Sequence, residues 1–209
     1  LVISGNLFDS ALMKTSVISD DFRKRFFSTP GKEGIFEATA VVFEGPEDYH
    51  NRINDPTLKI DETTILFIRG VGCIGYPGSA EVVNMLPPDH LVKDGINHLP
   101  TVGDGRQSGT SESPSILNAS PESVVGGGLA FLKTGDKVSL DLNKSTLNAI
   151  VSDSEWKERK EKWTKPEIIS HTPWEEIYRN HVGQLAEGGC LEMAIKYQKV
   201  RNTLPRDNH

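Results

Sequence analysis

The chain has 209 residues, of which 36% are hydrophobic and 25% charged, a composition typical of a soluble globular protein that can bury a core. Its 23 basic and 29 acidic residues give a net charge of −6, which argues against nucleic acid or an anionic membrane as its main partner. The longest apolar run, residues 64–68, has the length of a strand and is far too short to cross a bilayer.

Short β-branched runs bounded by turn residues predict seven strands. They cover residues 1–4, 36–43, 64–68, 99–102, 128–132, 137–142 and 147–152. Two short helices fit between them, at residues 47–53 and 88–93. Because the chain opens inside a strand-like run, we expect further sequence upstream of Leu1.

The last quarter of the chain is predicted to be helical. Ser152 begins a run whose acidic and basic residues cancel, which indicates a solvated helix held by i,i+4 ion pairs. Thr172-Pro-Trp-Glu175 is a capping box that starts a second helix. We expect its apolar stripe to pack in the core; the stripe consists of Trp174, Ile177, Tyr178, Val182 and Leu185. A last short helix is predicted at residues 191–200.

The first glycine-rich segment, residues 70–81, directly follows the predicted strand 64–68. Backbone N–H groups in such a loop can bind a carboxylate or phosphate. Residues 79–83 resemble the first turn of a helix, which would aim Glu81 at the same place. A hard cation such as Mg²⁺ would reconcile the two negative groups. The alternative, which the spacing alone favours over the metal site, is an ordinary glycine turn followed by a helix with a favourable N-terminal acid.

The second glycine-rich segment, residues 103–111, also follows a predicted strand. It carries Ser108 and Thr110, whose hydroxyls can point the same way. It has no GxSxG motif and no nearby histidine, so it does not predict an acyl nucleophile. Ser108 can act as a base if cations and donors lower its pKa. The alternative is a polar turn in which Ser108 and Thr110 cap the backbone.

A third segment, residues 118–128, reads as a short helix ended by three glycines, and close packing on the sheet is the expected use of those glycines. The six histidines have no metal-ligand spacing. Cys73 and Cys190 form no CxxC or Cys/His cluster, which predicts two reduced cytosolic thiols.

Several motifs in register resemble the C-terminal domain of the dihydroxy-acid dehydratase and phosphogluconate dehydratase (IlvD/Edd) family. The motifs are Gly5-Asn-Leu7, Pro77-Gly-Ser-Ala-Glu81, Gly103-Asp-Gly-Arg-Gln-Ser-Gly-Thr110, Pro114-Ser-Ile-Leu-Asn-Ala-Ser-Pro-Glu122 and Gly126-Gly-Gly128. Gln107 and the ending Pro205-Arg-Asp-Asn-His209 are similar to the pentonate branch, the L-arabinonate and D-xylonate dehydratases. The likeness runs over nearly the whole chain.

The resemblance implies a mixed α/β fold, the swivelling β/β/α domain, in which a mixed sheet or barrel is flanked by helices. We expect this domain at residues 1–152, with a helical C-terminal extension at residues 153–209 packed on it. The larger N-terminal domain of the family is absent from this chain.

The resemblance also implies a hydro-lyase that removes water from a sugar acid, through an enol, to give a 2-keto-3-deoxy acid. Ser108 would be the base that takes the C2 proton, and Thr110 its supporting hydroxyl. Glu81 would be a Mg²⁺ ligand, with Gly78 and Ser79 near the substrate. His209 would reach the site from the tail. The second cofactor would be an iron–sulfur cluster of the two-iron, two-sulfur type, held by the N-terminal domain.

The resemblance further implies a cytoplasmic homo-oligomer, a dimer or tetramer, in which this chain alone is inactive. Two residues depart from the pentonate pattern: Glu112 stands where glycine is usual, and Cys73 where proline is usual. These departures leave alternatives open. One is a dihydroxy-acid or phosphogluconate dehydratase of the same family, and the other is a non-catalytic interaction domain that retains the fold.

Overall fold

Eight strands form a closed barrel in the computed structural model, which describes residues 1–107 and 112–197. The strands are β1 (Val2–Gly5), β2 (Phe8–Met13), β3 (Ile35–Glu44), β4 (Thr64–Arg69), β5 (Thr101–Gly103), β6 (Ser115–Ser120), β7 (Lys137–Asp141) and β8 (Thr146–Ala149). Their order around the barrel is β1-β2-β6-β5-β4-β3-β7-β8. The four strands β3, β4, β5 and β6 run parallel to one another. The predicted mixed α/β fold is therefore confirmed.

The hydrophobic core lies on both sides of the barrel wall. One cluster takes residues from all eight strands and fills the barrel, while a second lies outside β3 and β4. Strand β4 shows why both form: Ile65 and Phe67 belong to the first cluster, and Leu66 and Ile68 to the second. A strand buried on both faces has to be apolar throughout, which explains the uninterrupted run in the sequence.

Within the described part of the chain, six helices surround the barrel. They are α1 (Asp20–Phe26), α2 (Pro46–Arg52), α3 (Asp89–Lys93), α4 (Asp153–Lys162), α5 (Pro173–His181) and α6 (Glu192–Ile195). Four 3₁₀ turns complete the structure, at Pro56–Leu58, Ser123–Val125, Gly128–Phe131 and Leu185–Glu187. The predicted caps are confirmed: Ser152 accepts a hydrogen bond from the Glu155 N–H at 3.3 Å, and Thr172 from the Glu175 N–H at 3.2 Å. Within the described ranges, no helix is long and apolar enough to cross a membrane.

Helix α4 is the solvated helix that the sequence predicts, with no fully buried residue and three i,i+4 ion pairs. Two residues attach it to the barrel: Trp156 packs against the core and edge-on against Phe131, and Arg159 makes an ion pair. Only 8% of the Arg159 side chain is exposed, and its guanidinium donates to both carboxylate oxygens of Asp136 and to the Phe131 carbonyl.

The predicted core stripe of α5 is wrong. No residue within α5 is buried; Trp174 is 78% exposed and Ile177 46% exposed, and of the stripe only Val182, just after the helix, is buried. The helix instead lies on the barrel through its polar residues. Its Arg179 Nε donates to the Ile74 carbonyl at 3.0 Å. An apolar stripe shows that a face is suited to burial but does not show what covers it.

Three other predictions need correction. The strand predicted at residues 128–132 is wrong, since Gly128–Phe131 form a 3₁₀ turn in which the peptide groups of Asn6 and Leu7 leave no room for a side chain at Gly128. Residues 79–83 form no helix, and Glu81 instead makes an isolated parallel bridge with Arg106, so the helix expected to carry Glu81 is absent. The segment expected to be a short helix before the three glycines contains part of β6 and one 3₁₀ turn. The predicted close packing of those glycines is confirmed, since a Cβ at Gly127 would lie 1.8 Å from the Pro121 carbonyl oxygen.

Candidate functional site

The two glycine-rich loops after β4 and β5 meet at one edge of the barrel. Because these strands are parallel neighbours, both chains leave the barrel at the same end. The Arg106 N–H donates to the Ala80 carbonyl at 2.8 Å, and the Val83 N–H donates to the Arg106 carbonyl at 3.2 Å. These bonds pair Glu81 with Arg106 as in a short parallel ladder. The loop that bears Glu81 is thereby fixed beside residues 106 and 107, immediately before Ser108.

Glu81 is accessible at this junction. Its carboxylate lies 3.5 Å from Arg106 Nη1, and 47% of its side chain is exposed. Arg106 is partly engaged elsewhere, because its Nε donates to the Ser79 carbonyl at 2.7 Å. A carboxylate held on one loop, with a single long ion pair, is free to give an oxygen to a hard cation such as Mg²⁺.

Glu81 cannot form a metal site on its own. Among residues 1–107 and 112–197, no three histidine, cysteine or acidic side chains are placed to hold a metal ion. The geometry therefore fits one protein ligand to Mg²⁺, with the remaining ligands supplied from outside the described residues or by substrate and water.

The first loop uses its amides internally. The N–H groups of Ile74 and Gly75 donate to the Glu122 carboxylate at 2.9–3.1 Å. Those of Gly70 and Val71 donate to the Asp104 carboxylate at 3.2 and 3.0 Å. The sequence analysis expected these amides to bind the carboxylate or phosphate of a ligand. They instead bind two carboxylates of the protein itself, so these four amides do not face a ligand.

Glu122 is almost fully buried, and burial raises the pKa of its carboxyl above the ordinary glutamate value, although its hydrogen bonds oppose the shift. Gln184 also binds it, donating through Nε2 at 2.9 Å. Gly72 is glycine because a Cβ there would lie 2.5 Å from the Glu122 carboxylate. Sequence reasoning overlooked both Asp104 and Glu122 as organisers of the loop. The sequence feature that could have indicated this role is that each of these acids lies inside a glycine-rich segment.

Helix α5 covers the same loop. The Tyr178 phenol hydrogen bonds with the Cys73 thiol and with the Gly78 backbone. Burial, and next the charge of Glu122, raise the pKa of the Cys73 thiol. Both cysteines are free thiols. A buried thiol with a raised pKa is a poor metal ligand, since metals bind the thiolate.

Gly78 and Ser79 lie in the loop immediately before Glu81 and differ in exposure. Gly78 has φ 88° with open space where a Cβ would be, so its backbone is exposed. Ser79 is 2% exposed with φ 59°, and its hydroxyl has no hydrogen-bond partner among the residues that the structure describes. Ser108, Thr110 and His209 lie outside the described residues. Of the segment before Ser108, Gln107 is buried and its side-chain oxygen accepts a hydrogen bond from Ser115.

Comparison with known proteins identifies the family. The C-terminal sequence profile of the dihydroxy-acid/6-phosphogluconate dehydratases matches residues 1–190. The chain belongs to this family. The resemblance inferred from the motifs is thereby confirmed.

Individual relatives include dehydratases of sugar acids. D-xylonate dehydratase of Caulobacter vibrioides is 60% identical over all 209 residues, which correspond to 35% of that protein. L-arabinonate dehydratase of Rhizobium leguminosarum is 37% identical over 175 residues, covering 84% of this chain and 30% of that protein. Dihydroxy-acid dehydratase of Archaeoglobus fulgidus is 33% identical over 191 residues, covering 91% of the chain and 32% of that protein. The chain thus spans about a third of the length of the relatives it matches.

Proposed function

We propose that this chain is the C-terminal part of a hydro-lyase that dehydrates aldonic acids, most specifically pentonates, to 2-keto-3-deoxy acids. The observation that carries the proposal is the junction of the two strand-end loops, which fixes an accessible Glu81 beside the segment leading to Ser108. The 60% identity to a D-xylonate dehydratase supports a pentonate as the substrate. The remaining two thirds of the enzyme, an N-terminal domain, would complete the site.

In this proposal, residues of the chain bind the substrate and move one proton. Ser108 removes the C2 proton, and the Thr110 hydroxyl supports it. Gly78 and Ser79 approach the substrate through the loop backbone, and His209 contributes from the C-terminus. Arg106, two residues before Ser108, adds a positive charge that favours an ionised hydroxyl nearby.

The cofactors of the proposal are Mg²⁺ and an iron–sulfur cluster, which when bound act as Lewis acids on the substrate carboxylate and on the departing C3 hydroxyl. Glu81 fits as one Mg²⁺ ligand. Neither described cysteine fits the cluster, because Cys73 is buried and because no three histidine, cysteine or acidic side chains among the described residues are placed to hold a metal. We therefore assign the cluster to the N-terminal domain.

The assignment of the base is tested with Ser108→Ala in the full-length enzyme loaded with both cofactors. We expect kcat for pentonate dehydration to fall by roughly a thousandfold or more, with the iron content unchanged, because a general base contributes about 10²–10⁴-fold. Ser154→Ala, an exposed serine on α4, is the matched control and should keep full activity. Turnover that survives in Ser108→Ala would refute the assignment.

The assignment of the metal ligand is tested with Glu81→Gln. Removing one carboxylate charge should raise the Mg²⁺ concentration for half-maximal activity by roughly tenfold or more, since charged oxygen ligands set the affinity for hard cations. Glu161→Gln on the exposed face of α4 controls for the loss of one negative charge. Unchanged Mg²⁺ dependence would show that Glu81 is not a ligand.

The relationship to a dihydroxy-acid dehydratase favours a second candidate, dehydration of a branched-chain dihydroxy acid. Assaying the full-length enzyme with a pentonate, a hexonate, 6-phosphogluconate and 2,3-dihydroxy-3-methylbutanoate separates these substrates. The proposal expects the highest kcat/KM for the pentonate. It also includes a homo-oligomer and a cytoplasmic location, which mass measurement and cell fractionation would examine.

A further inference from the structure

Helix α5 is amphipathic, but its apolar face is turned towards solvent. Trp174 and Ile177 lie about one turn apart on this helix and are 78% and 46% exposed. Ile169, just before the helix, is 66% exposed. The apolar face of a helix in a globular protein normally packs against the core. A helix with the opposite orientation indicates a surface that another part of the molecule covers.

Polar contacts fix α5 in this orientation. The Arg179 side chain is only 13% exposed, and its guanidinium donates to the Ile74 carbonyl at 3.0 Å and to the Ile169 carbonyl at 2.9 Å. The Tyr178 phenol hydrogen bonds with the Gly78 backbone. The apolar residues of the helix are therefore held towards solvent by the contacts that its other residues make with the loop below.

That loop extends the exposed apolar surface towards Glu81. Tyr76 lies between Ile74 and Gly78, the two loop residues that α5 contacts, and is 46% exposed. Glu81 follows a few residues further along the same loop. Aromatic residues are enriched at the centre of protein interfaces. The name α5 surface is used below for four residues, Tyr76, Ile169, Trp174 and Ile177.

We propose that the α5 surface docks against the N-terminal domain of the same polypeptide, beside the metal site. This inference rests on the proposed division of the site between two domains. Glu81 has no companion ligands among the described residues, so the part of the enzyme that supplies them has to approach the loop that bears Glu81. The α5 surface borders that same loop.

The length of the relatives supports this partner over a second copy of the chain. The whole chain corresponds to 35% of a D-xylonate dehydratase and matches a C-terminal profile, so most of such an enzyme lies outside the matched region. A second copy of residues 1–209 would cover the apolar residues without supplying the missing ligands. The N-terminal domain would do both.

The test places a photo-crosslinking residue, benzoylphenylalanine, at position 174 of the full-length enzyme with its cofactors. One exposed aromatic residue replaces another, so the barrel should fold unchanged. After irradiation, we expect an adduct at the mass of one polypeptide, joined to a peptide upstream of Leu1, by denaturing electrophoresis and peptide mass spectrometry. The matched control has the same probe in place of Lys157 on α4, which is also 78% exposed, and should give no such adduct.

Radical footprinting is a second measurement that needs no substitution. Trp174 should be oxidised roughly tenfold more slowly, or slower still, in the native enzyme than in urea, because residues at the centre of an interface are desolvated. Equal oxidation rates would overturn the docking. So would an adduct at twice the polypeptide mass, an adduct within residues 1–209, the same adduct from position 157, or no adduct. Absence of pentonate turnover by the wild type would overturn the proposed function, and the adduct would still decide the docking.

Discussion

Two buried carboxylates, Asp104 and Glu122, determine the shape of the loop that leads to Glu81. Each accepts backbone N–H bonds from that loop, and each also binds Ser123 or Gln184. Glycines at positions 72 and 105 leave room for these contacts, since a Cβ at Gly105 would lie 2.8 Å from the Ala80 carbonyl oxygen. The acids organise the site and need not touch substrate.

Glu122 also makes the stability of the chain depend on pH. Burial raises the pKa of its carboxyl in the folded state. A raised pKa stabilises the fold below the ordinary glutamate pKa, and this contribution is lost as the pH rises through the raised value. We expect the free energy of unfolding of the wild type, minus that of Glu122→Gln, to fall as the pH rises above the ordinary glutamate pKa.

Urea unfolding at several pH values measures this difference. Glu161→Gln, with its exposed side chain, is the control for removing a carboxylate from the surface. A difference that is constant, or that increases with pH, would contradict the prediction for Glu122.

Among the elements, α4 is attached to the barrel by the packing of Trp156 against the core and by a nearly buried ion pair between Arg159 and Asp136. Only 8% of Arg159 and 11% of Asp136 are exposed, and the two side chains form two hydrogen bonds of 2.6 and 2.9 Å. Arg159→Met would leave a nearly buried Asp136 without its cation. We expect a loss of about 3 kcal/mol in the free energy of unfolding.

The matched control is Lys157→Met on the same helix. Its partner Glu161 lies at 3.8 Å, and both side chains are well exposed. Such a pair contributes less than about 1 kcal/mol, so the control should unfold almost as the wild type does. Equal losses in both variants, measured by urea unfolding, would show that Arg159 is not an anchor of the helix.

The elements also show what the sequence can predict. Strand β4 was predicted because it is β-branched and buried on both faces. Strands β2 and β6 were missed, since Asp9, Ser10 and Asn118 interrupt their apolar pattern and only pairing within the barrel makes them strands. Helix α1 was missed because its seven residues include five charges.

The site was predictable where it depends on neighbouring strands. Glu81 and Ser108 were expected at one place because the family resemblance implies that both act on one substrate, and the parallel pairing of β4 and β5 is the structural reason why their exit loops meet. The hydrogen bonds from the Ile74 and Gly75 N–H groups to the Glu122 carboxylate were not predictable. These two residues lie 48 and 47 positions from Glu122 in the sequence, and only the folded barrel brings them together.

At the scale of the whole molecule, the continuous hydrophobic core indicates that this chain can fold by itself. Every strand contributes to the cluster inside the closed barrel. The proposed Mg²⁺ ligand Glu81, however, has no companion ligands among the described residues. We expect the isolated chain to unfold cooperatively in urea and to show no pentonate dehydration even with Mg²⁺ supplied.

Circular dichroism during urea unfolding and a 2-keto acid assay examine both parts of this prediction. Dehydration by the isolated chain would contradict the division of the site between two domains. A non-cooperative transition would instead contradict the independence of the barrel.

The closure of the barrel has a consequence for synthesis on the ribosome. Ser4 in β1 pairs with Thr146 in β8, so the seam joins positions 142 residues apart. A nascent chain therefore carries β1 with an unsatisfied edge until β8 has left the exit tunnel. Unpaired edges promote association between chains, so stalled translation before this point should yield aggregates, and chaperones would matter most during that interval.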